Sequence, residues 1–582
     1  MAGNYDKASS PKERAELIGA FHKSLPHDEF GEVAPDDFKV LRQACRGALG
    51  KFETVARGYD ETLAPPVINP AQAPFAAPIQ PDRPKSDKFV NPQGGFADDR
   101  LGPKPSDMKM LPPPAVGSAS ITAEMTELYW MALLRDVPIS DLDGHPDAAV
   151  AVGDLRDIFQ RALDTDASPG ALKLVQDLPA KDGKLDLSAQ TLFRCGLPHE
   201  AEGPLVSQFF LHDAPYGAQL IVQKLRPYAK TNYLTDVPSW LLAQNAGWDV
   251  HKIGYGDDRV RINSALYEEL QGGAIHPRRI ATMRDIARFV NRDALHQAYF
   301  TATLLLLDWG APLDAGNPYS DLNPSHYTRQ AGFGGLGGPH LLSLVSEVAA
   351  KALRVVWYQK WAVWRRLRPE AFGGLAHMQK TQGQAYGLDE ALFDTQAAKK
   401  IQESQNGGCL LPMAFPSGSP VHPSYGAGHA CVAGACVTIL KAWFDEDKRI
   451  DELLHDNNPV HPFTGAKVAI VQPDAVGSDL LPPYGGATGG ITVGGELNKI
   501  ACNVAMGRSM GGVHFRSDNT RSLRLGERVA AFILAGISAD FPEKVNGKTV
   551  GWSFTSFSGN TVKIAKGKVN GKDPTTLFNP DL

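Results

Sequence analysis

The sequence predicts a mainly α fold built from packed helical bundles, and three observations carry that expectation. Apolar residues recur at helical spacing in one segment after another between residues 121 and 537. Strand-type alternation is clear only near the C-terminus. Prolines crowd into residues 64–116, a density that forbids helix and favours extended, polyproline-like chain.

In order, residues 1–62 read as mixed polar and helical, with 38–49 the best helical candidate. The proline-rich stretch is either a flexible linker or an arm laid across another subunit. It divides the chain into an N-terminal segment and arm, 1–118, and a helical catalytic domain, 119–582. Residues 121–137 place Met125, Leu128, Met131, Ala132 and Leu134 close to helical spacing, and 154–163 continue the pattern. Helical candidates then follow at 190–216, with the apolar run 205–211, and at 283–309, a long segment carrying Ile286, Phe289, Val290 and Tyr299. The longest is 341–368, expected to stop at Pro369, whose ring disfavours helical geometry in the residue before it. Residues 430–443, 495–507 and 522–537 complete the helices. Trp552 and Phe554, a Gly559-Asn560 turn, then Val562 and Ile564 predict a small hairpin.

Composition narrows the function. With 582 residues, 43% hydrophobic, 21% charged and a formal net charge of −5, the chain can bury a large core and lacks the basic balance of a nucleic-acid binder. No apolar run reaches membrane-spanning length, and the first residues lack the apolar core of a secretory signal, so the compartment stays open. Six scattered cysteines with no CxxC pair read as buried free thiols.

Three segments belong together. The first, KWAVWRRLRPE, holds Lys360 and Arg368. On one continuous helix their eight-residue spacing leaves them roughly 80° apart and ~12 Å along the axis, so two long side chains reach one anion while Arg365 and Arg366 point elsewhere. The second is Gly426-Ala427-Gly428-His429, a small-residue turn opening into a helix. Its first amides and the positive end of the macrodipole form an anion cradle, with His429 at the lip. The third, GRSMGGVHFRSDN, holds Arg508, Gly511, Gly512, His514 and Asp518. Asp518, four residues past His514, is spaced to take a ring N–H and fix the tautomer. Each piece alone is weak, since a basic helix end is usually a solvated face and a histidine after glycines is usually packed. Together they supply three cations, an amide nest and two imidazoles, which is chemistry for a compact tetrahedral oxyanion such as phosphate or vanadate.

At these residues the chain resembles the vanadium-dependent haloperoxidases, of the red-algal bromoperoxidase type and its bacterial relatives. KWAVWRRLRPEAFGG, LPMAFPSGSPVHPSYGAGHACVAGACVTILKAWF and GELNKIACNVAMGRSMGGVHFRSDN carry the likeness, which extends with gaps from about Leu25 to the last helix. Acid phosphatases of the type-2 phosphatidic-acid superfamily share the three-part pattern, with a Lys-to-Arg gap typically one residue shorter.

The resemblance implies two packed four-helix bundles and a vanadate cofactor. In it His514 is the single protein ligand to vanadium; Lys360, Arg368, Arg508 and the amide of Gly428 hold the oxygens; His429 is the acid–base group and Lys360 polarises bound peroxide. It further implies hydrogen peroxide, a halide (bromide or iodide, with chloride undecided) and a small organic acceptor as reactants. His422 matches the histidine of bromoperoxidases, whereas Trp357 stands where red-algal enzymes carry arginine and fungal chloroperoxidases tryptophan. Tryptophan there is equally a core-packing aromatic. Ala427 departs from the family's usual serine and removes one donor to the oxyanion. Residues 318–323, PYSDLN, resemble a structural calcium loop of the red-algal enzymes, although such clusters also make ordinary turns. Large homo-oligomers, dodecamers built from dimers, are also implied. Two readings compete: a phosphatase in which His514 attacks phosphorus, and a non-enzymatic oxyanion store.

Overall fold

The computed structural model describes residues 3–58, 87–228, 230–247, 276–545 and 548–580. Its longer helices are α1 (Pro11–Gly19), α2 (Pro35–Cys45), α3 (Ala119–Leu134), α4 (Pro146–Thr165), α5 (Val237–Ala246), α6 (Met283–Arg292), α7 (Gln297–Asp308), α8 (Gly338–Tyr358), α9 (Pro369–Gln382), α10 (Gln396–Ser404), α11 (Gly428–Trp443), α12 (Ile450–Asn457), α13 (Val493–Met510) and α14 (Arg516–Asp540). Local chemistry starts many of them. Ser118 accepts from the Ile121 amide, Thr492 from Gly495, and Thr282 with Asp285 forms a reciprocal box that opens α6.

Four helices, α8, α11, α13 and α14, pack into the central bundle, with α11 against α14 the most extensive contact. A second helical group, α3, α4 and α10 with the one-turn helix Ala391–Asp394, packs on the side where α3 meets α13. The mainly α expectation is met. Among the described residues the strands form only small antiparallel sheets: β1 (Ala180–Lys181) with β2 (Lys184–Leu185), β3 (Ala214–Tyr216) with β4 (Gln219–Ile221), β5 (Lys544–Val545) with β6 (Lys548–Thr549), and β7 (Gly551–Thr555), β8 (Thr561–Ala565) and β9 (Lys568–Val569). The expected C-terminal hairpin is β7–β8, with Trp552 opposite Ile564 and Phe554 opposite Val562. All six cysteines are free and buried. No helix among the described residues is long and apolar enough to cross a membrane.

Three expected helices differ. Residues 190–216 form turns, a single helical turn at Gln208–Leu211 and the strand β3, because the apolar run is too short to propagate a helix past the hairpin. The segment 283–309 is two helices, broken at residues 293–296. The segment 341–368 does not run on to Pro369. Helix α8 ends at Tyr358, a π-type turn Gln359–Trp364 follows, and Arg365 adopts a left-handed φ of 48°. Pro369 opens α9, a position where its missing N–H costs nothing.

The N-terminal segment enters the same core. Phe21 N–H donates to the Arg365 carbonyl at 2.7 Å and Leu367 N–H to that of Gly19 at 3.0 Å, so residues 19–21 run beside 365–367. Phe21, Phe52 and Phe89 surround Trp361 edge-on. Of the proline-rich stretch, residues 59–86, with Pro65, Pro66, Pro70, Pro74, Pro78, Pro81 and Pro84, lie outside the described residues. Residues 87–116 alternate irregular chain with turns and the short 3-10 helix Gly94–Phe96, and they bond to the rest of the chain through Val90 N–H on the Val421 carbonyl and Lys109 N–H on that of Phe578.

The α11–α14 contact depends on two glycines. A Cβ at Gly434 would stand 2.0 Å from the Leu523 carbonyl oxygen, and one at Gly526 2.0 Å from that of Cys431. Both obstacles are backbone and cannot swing away. Gly434→Ala or Gly526→Ala is expected to cost at least about 2 kcal/mol by thermal or denaturant unfolding. Gly536→Ala, on α14 with nothing within 4 Å, is expected to gain about 0.5–1 kcal/mol by the same measurement.

Candidate active site

The π-type turn after α8 aims Lys360 inward. Its ammonium, 0% exposed, donates to the carbonyls of Pro423 and Ser424 at 2.8 and 2.9 Å. Arg368 comes from the extended link before α9, not from a common helix face. The expected relation of 80° and 12 Å therefore does not exist, and tertiary folding brings the pair together instead. Arg368 donates to the carbonyls of His422 and Val513 and lies 3.0 Å from His514 Nε2 and 2.9 Å from His422 Nδ1. Arg508, in the last turn of α13, donates to the Val290 carbonyl at 2.8 Å. Helix α11 starts at Gly428 with Ala427 as its cap residue, so the expected helix-opening turn forms. A Cβ on Gly428 would meet Trp357 Cζ3 at 3.0 Å, so any other residue there would press the indole back by a few tenths of an ångström.

His514 is oriented as its spacing suggests. Asp518 Oδ2 lies 3.0 Å from His514 Nδ1 and also accepts from the Phe515 amide and the Ser424 hydroxyl. A carboxylate on Nδ1 puts the ring proton there and leaves the Nε2 lone pair facing Arg368. Arg366, expected to point away from the shared anion, does so and sits behind this carboxylate. It bonds Asp518 Oδ1 at 2.6 Å and Glu124 Oε2 of α3 at 2.8 Å, all three buried. The two adjacent arginines diverge because Arg365 turns left-handed and spends its guanidinium on the carbonyls of Trp361 and Ala362.

His429 lies at the mouth, its side chain 18% exposed, with Nε2 3.0 Å from Asp293 Oδ1. Burial lowers its pKa, Asp293 pulls it back up and Arg508 adds to the fall. His514 is held well below the usual imidazole value by burial, then by Arg368, Lys360 and Arg508. Lys360 is likewise pushed well down by burial and by Arg368. Trp357 and His422 are neighbours here, their rings 4.9 Å apart, and Lys360 Nζ is 5.5 Å from the Trp357 ring centre. Trp357 is thus part of the site wall as well as a packing residue.

The family model of the second helical-bundle domain of VCPO matches residues 340–540. The vanadium-dependent bromoperoxidase of Corallina pilulifera is 32% identical over 94% of this chain and 91% of its own, and that of Corallina officinalis 31% over the same shares. The chain belongs to the vanadium-dependent bromoperoxidase family. Among solved structures, the homohexameric vanadate-dependent bromoperoxidase AnII of Ascophyllum nodosum superposes with a TM-score of 0.71 at 27% identity, covering 97% of this chain and 86% of that one.

The residues present fit the oxyanion that the family uses. The pocket gathers hard N–H donors and one imidazole lone pair, with no thiolate among the groups just described. Positive groups lower one another's pKa across it, a state that a bound anion relieves. The loop 318–323 is different. Asp321 is 99% exposed, and Asn323 Oδ1 accepts from the Ser325 amide, as in a self-contained turn.

Sequence reasoning missed Asp293, Arg366, Glu124 and Ser424. Ser424 stands inside the quoted Pro-Ser-Tyr-Gly-Ala-Gly-His motif and was within reach. Asp293, at the break after α6, and Glu124, on α3, are remote acids with no local signal.

Two expectations follow. Arg366→Met strands Glu124 and Asp518 as buried carboxylates and is expected to cost about 3–5 kcal/mol, read by denaturant unfolding. Asp293→Asn removes the upward pull on His429, so its imidazole resonances in an NMR titration should move at lower pH than in the parent.

Proposed function

We propose that this chain oxidises bromide and iodide with hydrogen peroxide to hypohalous acid, using a vanadate bound among Lys360, Arg368, Arg508, the Gly428 amide and His514. The observation that carries the reading is the His514 Nε2 lone pair, fixed by Asp518 and faced by Arg368 beside a buried lysine. Vanadium(V), a Lewis acid that keeps its oxidation state, supplies the activation of peroxide toward the halide. The protein's part is to bind, orient and move protons. His514 Nε2 is the ligand, and its basicity is maintained by Asp518, itself anchored by Arg366 and Ser424. Lys360, Arg368 and Arg508 neutralise oxygen charge in a pocket from which water is largely excluded. Asp293 occupies His429 Nε2, leaving Nδ1 to accept and return a proton at the site's mouth. Trp357 and His422 face the halide. They point opposite ways in the family, and the histidine, held on Arg368, is taken as the stronger influence.

A homo-oligomer is proposed as the working assembly, supported by the homohexameric form of the Ascophyllum relative. Residues 1–118 would help to join subunits, and the red-algal resemblance puts the size at a dodecamer. Sedimentation velocity reads that size directly.

Metal-free protein is expected to oxidise bromide with peroxide only after orthovanadate is added, and His514→Ala to abolish the gain. Hydrolysis of phosphomonoesters without vanadate-dependent bromide oxidation would establish the phosphatase reading instead. At Ala427, buried and without a capping side chain, a hydroxyl would add one donor. Ala427→Ser is expected to tighten vanadate about fivefold in a titration of metal-free protein.

A further inference from the structure

We infer that Cys195, Glu200 and Cys502 form a site for a divalent cation of the zinc type, which fastens the loop 193–200 to α13. The two sulfurs and a carboxylate oxygen of Glu200 lie within 4.8 Å of one another, and all three residues are buried. Cys195 and Glu200 share one loop, which turns back on itself so that the Gly196 amide donates to Glu200 Oε1 at 3.0 Å. Cys502 arrives from α13 across 307 residues of chain, and the Cys195 amide donates to its sulfur at 3.2 Å. Asn498, one turn earlier on α13, donates to the Pro198 carbonyl at 2.9 Å, so helix and loop are held together at this point. These residues are separate from those assigned to the oxyanion, and the inference stands apart from the functional reading above.

An unanswered oxygen points to a ligand here. Glu200 is 1% exposed, and the amides of Leu197 and Cys195 face its carboxylate along with that of Gly196. Its Oε2 nevertheless has no hydrogen-bond partner. A buried acceptor left unpaired is costly, and a cation among the three ligand atoms would answer it. A disulfide between the two sulfurs would leave Oε2 as it stands. Two thiolates disfavour hard cations such as calcium and magnesium. With a carboxylate they make a zinc donor set, leaving one of four positions to water. Both thiols give up their protons as the ion binds. The Cys195 amide on the Cys502 sulfur orients that ligand from outside. A divalent ion on two thiolates and one carboxylate leaves a single negative charge. Arg194, which donates to the Glu200 carbonyl at 2.6 Å, stands beside it to offset that charge. The place matters because α13 also carries Arg508 in its last turn, so the ion would fix the position of a helix that serves the oxyanion pocket.

The test uses the full chain, produced in zinc-supplied medium, dialysed and given no vanadate. Elemental analysis is expected to find about one zinc per chain, and X-ray absorption at the zinc edge to show two sulfur neighbours at about 2.3 Å beside lighter atoms. Cys195→Ala and Glu200→Gln, each checked for folding by circular dichroism, are expected to retain at most about a tenth of that zinc. The edge spectrum of the parent chain needs no variant, so it decides the matter even where a variant fails to fold. A folded parent chain without zinc overturns the inference, and so does zinc surrounded by nitrogen and oxygen alone. Undiminished zinc in folded Cys195→Ala overturns it as well. An intact mass lower by two hydrogens, with the peptides of Cys195 and Cys502 joined, would make the pair a disulfide and would also overturn it.

Discussion

Buried positive charge is the constraint on which the rest of this structure depends. A cation removed from water must be answered by an anion or by well-placed oxygens, or the fold loses several kcal/mol per group. The start of α14 shows the first solution. Arg516 pairs with Glu127, Arg521 with Asp177, and Arg366 with both Glu124 and Asp518. Lys360 shows the second: its ammonium rests on two backbone carbonyls, and its charge remains available to a ligand. The paired arginines make a rigid wall. The lysine, with Arg368 and the helix start at Gly428, makes that wall receptive to an oxyanion.

The irregular stretches of backbone lie where the chemistry is. Lys360 sits in the π-type turn between α8 and the left-handed Arg365, and Asp293 stands at the break between α6 and α7. Regular helix at either place would have turned the side chain along the helix face instead of into the pocket. Departures of this kind cost local stability and are retained where they aim a functional group. The surrounding bundle supplies the stiffness, through an α11–α14 contact close enough to require Gly434 and Gly526.

The N-terminal third takes part in the same arrangement. Lys23 reaches Glu370 at 2.7 Å together with the carbonyls of Ser417 and Ser419, and so steadies the loop that leads into the glycine turn. Val90 accepts from the Trp357 indole at 3.2 Å, which fixes the aromatic wall beside His422. Segments far from the site in sequence therefore hold its rim, and the site's shape depends on their seating as much as on the bundle.

The amino-acid sequence by itself determined whatever is carried by short-range spacing. Helical periodicity identified most of the bundle, alternation found the β7–β8 hairpin, Asp518 four residues past His514 fixed the imidazole tautomer, and the small-residue turn before His429 marked a helix start. Motif order and resemblance then pointed to the family. Tertiary structure alone decided that Lys360 and Arg368 converge from a π-type turn and an extended link, that Arg366 faces Asp518 and Glu124, and that Asp293 meets His429 across 136 residues of chain. The physical reason is range. Periodicity and capping act within a few residues, whereas compensation of a buried charge selects its partner by distance in space, and sequence separation carries no record of that distance.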